Sequence, residues 1–243
     1  MDTSNRPQRF NCLVCISSLF LFLGLLLFAW VDPDGFAGQL ARDHSAGGAG
    51  LFEHLTVIVL VPGVLAGLYT FRNYRDRLPN RFLGYWVLAW SLACIYFAGE
   101  EASWGQWYFG WKTPDALLGL NDQGETNLHN MSPLLDQMPR LLVQLFVVVG
   151  GFLVPLWRII GNRRPTMQHR VALTLDAWIF APTALLSAGA LFVATKLAKW
   201  SPHHAFNNLG NGELREFIIA WFLMWYLLSY AVRLKQASPA LKL

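Results

Sequence analysis

Six stretches of about 20 mostly apolar residues recur along the chain, at Cys12–Val31, Leu51–Phe71, Phe82–Gly99, Leu141–Ile160, Leu175–Leu197 and Phe217–Val232. A helix rises about 1.5 Å per residue, so stretches of this length suit a hydrocarbon core roughly 30 Å thick. Within hydrocarbon the backbone must satisfy its own polar groups, which points to an all-α integral membrane protein with six transmembrane helices. Composition agrees. Only 14% of residues are charged, against about 25% in an ordinary soluble domain, so a polar shell cannot be built. The 54% hydrophobic and 14% aromatic content excludes disorder, and three cysteines exclude a disulfide scaffold. With no internal repeat and no low-complexity tract, residues 1–243 read as a single transmembrane helical domain. Arg6 and Arg9 precede the first stretch as in a secretory leader, but no small-x-small cleavage site follows it. It is expected to be a retained helix.

Charge sets the expected orientation. With the N-terminus inside, the inner segments hold 13 of the 19 Lys and Arg residues, and an even number of spans puts both termini in the cytoplasm. By the same topology 12 of the 15 acids and five of the six histidines fall on the outer face. Long outer loops collect polar residues anyway, so this distribution fits either a concentrated outer site or no site. The net charge of +4 comes without a long Lys/Arg run, and no nucleic-acid partner is expected.

The long outer loop, residues 100–140, carries the densest chemistry. Glu100 and Glu101 follow directly on an apolar span, where a carboxylate is costly unless it faces protein, water or a cation. If that helix continued, Glu100, Trp104, Trp107 and Trp111 would share one face, a short interfacial aromatic helix bordering a substrate entrance. The bland alternative is anchoring alone. Thr113-Pro114 and Ser132-Pro133 both read as helix caps followed by proline. Pro62, Pro155 and Pro182 are expected to kink their helices, and Gly63-x-x-x-Gly67 to pack helix on helix.

Glu125 and His129 stand four apart, so on a helical turn they face one way and suit a transition metal such as zinc, manganese or iron. Asn127 and Asn130 would orient such ligands. A plain Glu–His hydrogen bond stapling the loop accounts for the same spacing. Glu53-His54 and His203-His204, the latter ahead of Glu213, lie on the same expected side. His203 and His204 are therefore the further candidate metal ligands, with a solvated loop as the alternative.

The segment Gly99-Glu-Glu-Ala-Ser-Trp-Gly-Gln106, with Thr113-Pro114 and Asn121-x-Gln-Gly-Glu-Thr-Asn-Leu-His-Asn130, resembles an uncharacterised family of bacterial polytopic membrane proteins. That resemblance spans about 35 residues, implies a bacterial cytoplasmic membrane, and brings no activity. A second resemblance is to the CPBP intramembrane proteases, relatives of the CAAX prenyl endopeptidases. Their EExxxR motif is met by Glu100-Glu101, with His129 as the middle histidine and His203/Asn207 or His204/Asn208 as HxxxN. It implies that Glu100 or Glu101 activates water without a metal. Gly105 replaces the arginine of that motif, and Glu125 replaces the phenylalanine four before His129.

The sequence thus leads to a membrane-embedded enzyme with an outward-facing carboxylate–histidine site. Its expected chemistry is metal-assisted hydrolysis or transfer on a lipid or lipid-linked substrate, with Glu100 and Glu101 as catalytic groups. A non-enzymatic subunit assembled beside other membrane proteins, and a metal-free protease, are the competing readings.

Overall fold

A computed structural model describes residues 6–40, 50–118, 126–128, 131–161 and 175–237, and among them every regular element is a helix. The helices are α1 (Arg6–Val31), α2 (Pro33–Leu40), α3 (Leu51–Tyr74), α4 (Arg81–Glu101), α5 (Gln106–Phe109), α6 (Asp115–Leu118), α7 (Pro133–Phe146), α8 (Val154–Ile160), α9 (Asp176–Ile179), α10 (Leu186–Ala198), α11 (His204–Asn207) and α12 (Gly212–Ala237). Among the described residues, six helical segments are long and apolar enough to cross a membrane: Gln8–Val31, Leu51–Arg77, Arg81–Glu101, Gln137–Ile160, Asp176–Ala198 and Gly212–Leu234. These match the expected spans to within a few residues.

The last of them is the centre of the bundle. Its most apolar window is 72% buried, whereas only 22% of that of the first span is. On α1, Phe20 and Leu27 remain 72% and 63% exposed, as befits a surface meeting lipid tails rather than water. The expected small-residue motif works at the crossing of α3 with α12. A Cβ on Gly63 would lie 2.8 Å from Met224 Cα, and one on Gly67 would lie 2.1 Å from Ser91 Oγ of α4. Only glycine lets the backbones approach so closely.

The prolines act unequally. α3 runs unbroken through Pro62. Pro155 has no N–H to give, and the helix widens into a π-helical stretch at Val147–Leu153 just before it. At Pro182 the fifth span breaks outright, with Phe180 extended at ψ 154°.

Several of the backbone groups around this break find partners outside their own helix. Ala181 N–H donates to Gly150 O of the π-helical stretch (3.0 Å). The Tyr226 and Tyr230 hydroxyls donate to Ile179 O and Trp178 O, each at 2.6 Å. Arg158 reaches Asp176 O (3.0 Å) and Ala181 O (3.2 Å), and Arg233 reaches Ala177 O (3.0 Å) and Trp178 O (3.2 Å). Such partners are what make a broken helix tolerable at membrane depth.

Beyond the break, α10 presses on the π-helical stretch, and a Cβ on Gly189 would lie 2.4 Å from Gly151 O. Gly189→Val therefore overpacks backbone against backbone, a loss of about 1–3 kcal/mol or more. Thermal unfolding in detergent should show a clearly lowered midpoint; an unchanged midpoint would refute this packing.

Candidate carboxylate site at one end of the bundle

Three helices, α3, α4 and α12, bring acids to the same end. Glu53 lies in the first turn of α3, and its carboxylate accepts the Gly50 N–H. Glu213 and Glu216 open α12, where Asn211 Oδ1 caps the Glu213 N–H at 2.8 Å. Acids belong at helix N-termini, where the dipole favours negative charge. Glu100 and Glu101 do not share that reason, because they close α4 at its C-terminal, negative end.

Glu100 is held by two donors. Trp104 Nε1 gives to its Oε1 at 2.6 Å, and Leu128 N gives to its Oε2 at 2.8 Å. This clasp depends on a turn that the helical spacing did not anticipate. Ser103, Trp104 and Gly105 take φ of 44°, 54° and 97°, so α4 stops and the chain folds back. Left-handed backbone at two non-glycine residues costs roughly 1–3 kcal/mol each. The expectation that Glu100, Trp104, Trp107 and Trp111 share one continuous helical face is corrected here. Trp104 instead lies over Gly99, a Cβ on which would sit 3.0 Å from the indole ring.

The same turn aims Gln106. Its Oε1 accepts Thr126 N (2.7 Å), and its Nε2 donates to Thr113 Oγ1 (3.1 Å). Thr113 Oγ1 also meets Thr126 Oγ1 at 3.3 Å, which pins residue 126 beside the site. Asn127 between them is buried, with 1% of its surface exposed.

Beneath this strap lies the acidic group. Glu53, Glu101 and Glu213 each place one carboxylate oxygen within 4.8 Å of the others, and Glu53 and Glu101 are buried. Two ionised carboxylates at that distance repel by roughly 3–4 kcal/mol at an effective dielectric of 20, so the group calls for a proton or a cation. Arg140 of α7 binds Glu216 at 2.6 Å. Glu101 is in hydrogen-bond contact with Glu216, while its Oε2 meets no hydrogen-bond partner among the described residues.

A cavity of about 130 Å³ opens beside Glu101, between α4, α7 and α12. Trp90, Phe97, Val143 and Leu223 give it an apolar wall, and Glu101, Arg140 and Glu216 close its polar end.

Of the other expected site residues, the described ones do not gather at this group. Glu125, His129 and Asn130 lie outside the described residues. His203 is exposed and packs on Trp30 and Phe206, with ring centroids 5.0 and 5.4 Å away. His204 is exposed at the start of α11, and neither histidine joins the carboxylate group. Trp107 is half-buried, while Trp111 is exposed and stacks on Phe109. Tyr108 meets His54 Nδ1 at 3.1 Å. Burial, and then the Glu53 carboxylate, push its hydroxyl above the ordinary tyrosine value, so it is protonated at neutral pH. Arg140 and Glu216 are absent from the sequence-derived set, although Glu213-x-x-Glu216 at a helix start was a visible signal.

Compared with known proteins, the chain matches no family model, no curated protein and no solved structure. The site must be read from its own chemistry.

Proposed function

We propose that this chain is a membrane-embedded enzyme that carries out hydrolysis or group transfer on a lipid or lipid-linked substrate. The observation that carries the reading is the cavity, whose apolar wall at Trp90, Phe97 and Val143 leads into Glu101, Arg140 and Glu216. Such a cleft accepts an amphiphile with its polar part at the carboxylates. At about 130 Å³ it is smaller than the ~300–1,000 Å³ that enclose a whole ligand, so it holds one segment while the acyl chains stay in the bilayer.

In this reading Glu101 is the general base, taking a proton from the attacking water or hydroxyl. Glu100, held by Trp104 and Leu128, positions the strap. Arg140 offsets negative charge that develops beside Glu216. The basic bias of the opposite end supports placing both termini in the cytoplasm of a bacterial cell and the Glu101 end outside.

The test is incubation of detergent-purified protein with a total bacterial lipid extract, followed by lipid mass spectrometry. The reading expects at least one lipid species to be consumed and a product to appear. An extract left unchanged would remove the enzymatic reading in favour of a structural subunit.

A further inference from the structure

The Glu53, Glu101 and Glu213 carboxylates come from α3, α4 and α12, and their three oxygens lie within 4.8 Å of one another. Oxygen ligands sit about 2.0–2.6 Å from a magnesium or calcium ion, so two on opposite sides of one ion stand about 4–5 Å apart. The spacing therefore fits a single cation at the centre.

A second observation points the same way. Glu53 and Glu213 have a local reason to be where they are, at helix N-termini. Glu101 has none, since it ends α4. Yet Glu101 is only 6% exposed, and its Oε2 has no hydrogen-bond partner among the described residues. A buried carboxylate oxygen left without a donor is expensive unless something positive faces it. Arg140 is engaged with Glu216 at 2.6 Å.

We infer that Glu53, Glu101 and Glu213 form a binding site for one hard divalent cation at the Glu101 end of the bundle. The group contains no His and no Cys. All-oxygen donors suit magnesium, manganese or calcium. The ligand set accordingly differs from the one expected from sequence, in which His203 and His204 were candidates. The ion would also link α3, α4 and α12, tying the central helix to two neighbours at the end where the strap closes.

The test uses Mn²⁺ as the probe on full-length protein in detergent, with free Mn²⁺ followed by electron paramagnetic resonance. Wild type is expected to bind about one Mn²⁺ per chain, with Mg²⁺ or Ca²⁺ competing. Glu101→Gln and Glu213→Gln should each raise Kd at least tenfold, whereas His203→Ala should leave it unchanged. The Gln variants keep shape and remove repulsion, so wild-type-like thermal unfolding without metal would show that they fold. Should one of them fail to fold, Glu53→Gln carries the same expectation. No Mn²⁺ binding at millimolar concentration would overturn the site, as would an unaltered Kd in folded Gln variants or a loss confined to His203→Ala. Binding is read here rather than turnover, so the site stands or falls separately from the lipid reading.

Discussion

Arg233→Met should lower the thermal midpoint of the detergent-solubilised protein far more than a lipid-facing change such as Leu27→Ala. Arg233 is 5% exposed and holds the broken fifth span in place. Its Nη1 donates to Ala177 O and Trp178 O, and its Nη2 donates to Ser229 Oγ at 3.0 Å. The guanidinium also lies over the Tyr230 ring, 4.2 Å from the centroid. Methionine fills much of the volume but gives no hydrogen bond. Trp178 O would retain Tyr230, while Ala177 O would lose the donor that Arg233 supplies. A buried acceptor left open costs about 1–3 kcal/mol, and a desolvated cation–π contact adds about 2 kcal/mol. The expected loss is roughly 3–5 kcal/mol. Lysine should rescue little of it, because a point charge cannot span two carbonyls and a hydroxyl as the planar guanidinium does. A shift no larger than that of Leu27→Ala would mean the break is stabilised elsewhere.

The second large effect concerns turnover. Once a converted lipid is found, Glu101→Gln should reduce its rate by about 10²–10⁴-fold, the range for loss of a general base. Glutamine keeps the shape and fits beside Glu216, so unfolding should not account for the loss. Glu100→Gln should be milder in rate, since an amide oxygen still accepts one of the bonds from Trp104 and Leu128. Equal losses at the two positions would assign the chemistry to the pair rather than to Glu101. Full activity in Glu101→Gln would exclude it as the base.

These outcomes bear on parts of the molecule that were unequally visible in the sequence. The spans were legible because a bilayer imposes length and apolarity residue by residue, with no need to know what packs on what. Pro182 signalled the break in the fifth span, but nothing local said that Arg158 and Arg233 would cap it, since those bonds join residues 18 to 56 positions apart. The acidic site shows the same division. Glu100 and Glu101 stand out beside an apolar run, whereas Glu53 and Glu213 meet Glu101 only through the packing of α3 and α12. The shared face of Glu100, Trp104, Trp107 and Trp111 was expected from spacing alone, on the condition that α4 continued. Gly105, at φ 97°, was the local sign that the helix would stop.

The central claim is that the cavity beside Glu101 receives the polar-proximal part of a lipid. Photo-crosslinking with a lipid that carries a diazirine near its headgroup tests it most directly, with labelled peptides mapped by mass spectrometry. The account predicts labelling concentrated at Trp90–Phe97 and Ile219–Leu223, and lost in Ala93→Trp, whose indole fills the cavity from its wall. Labelling spread over exposed helix faces such as Phe20 and Leu27 of α1, and unaltered in Ala93→Trp, would contradict it.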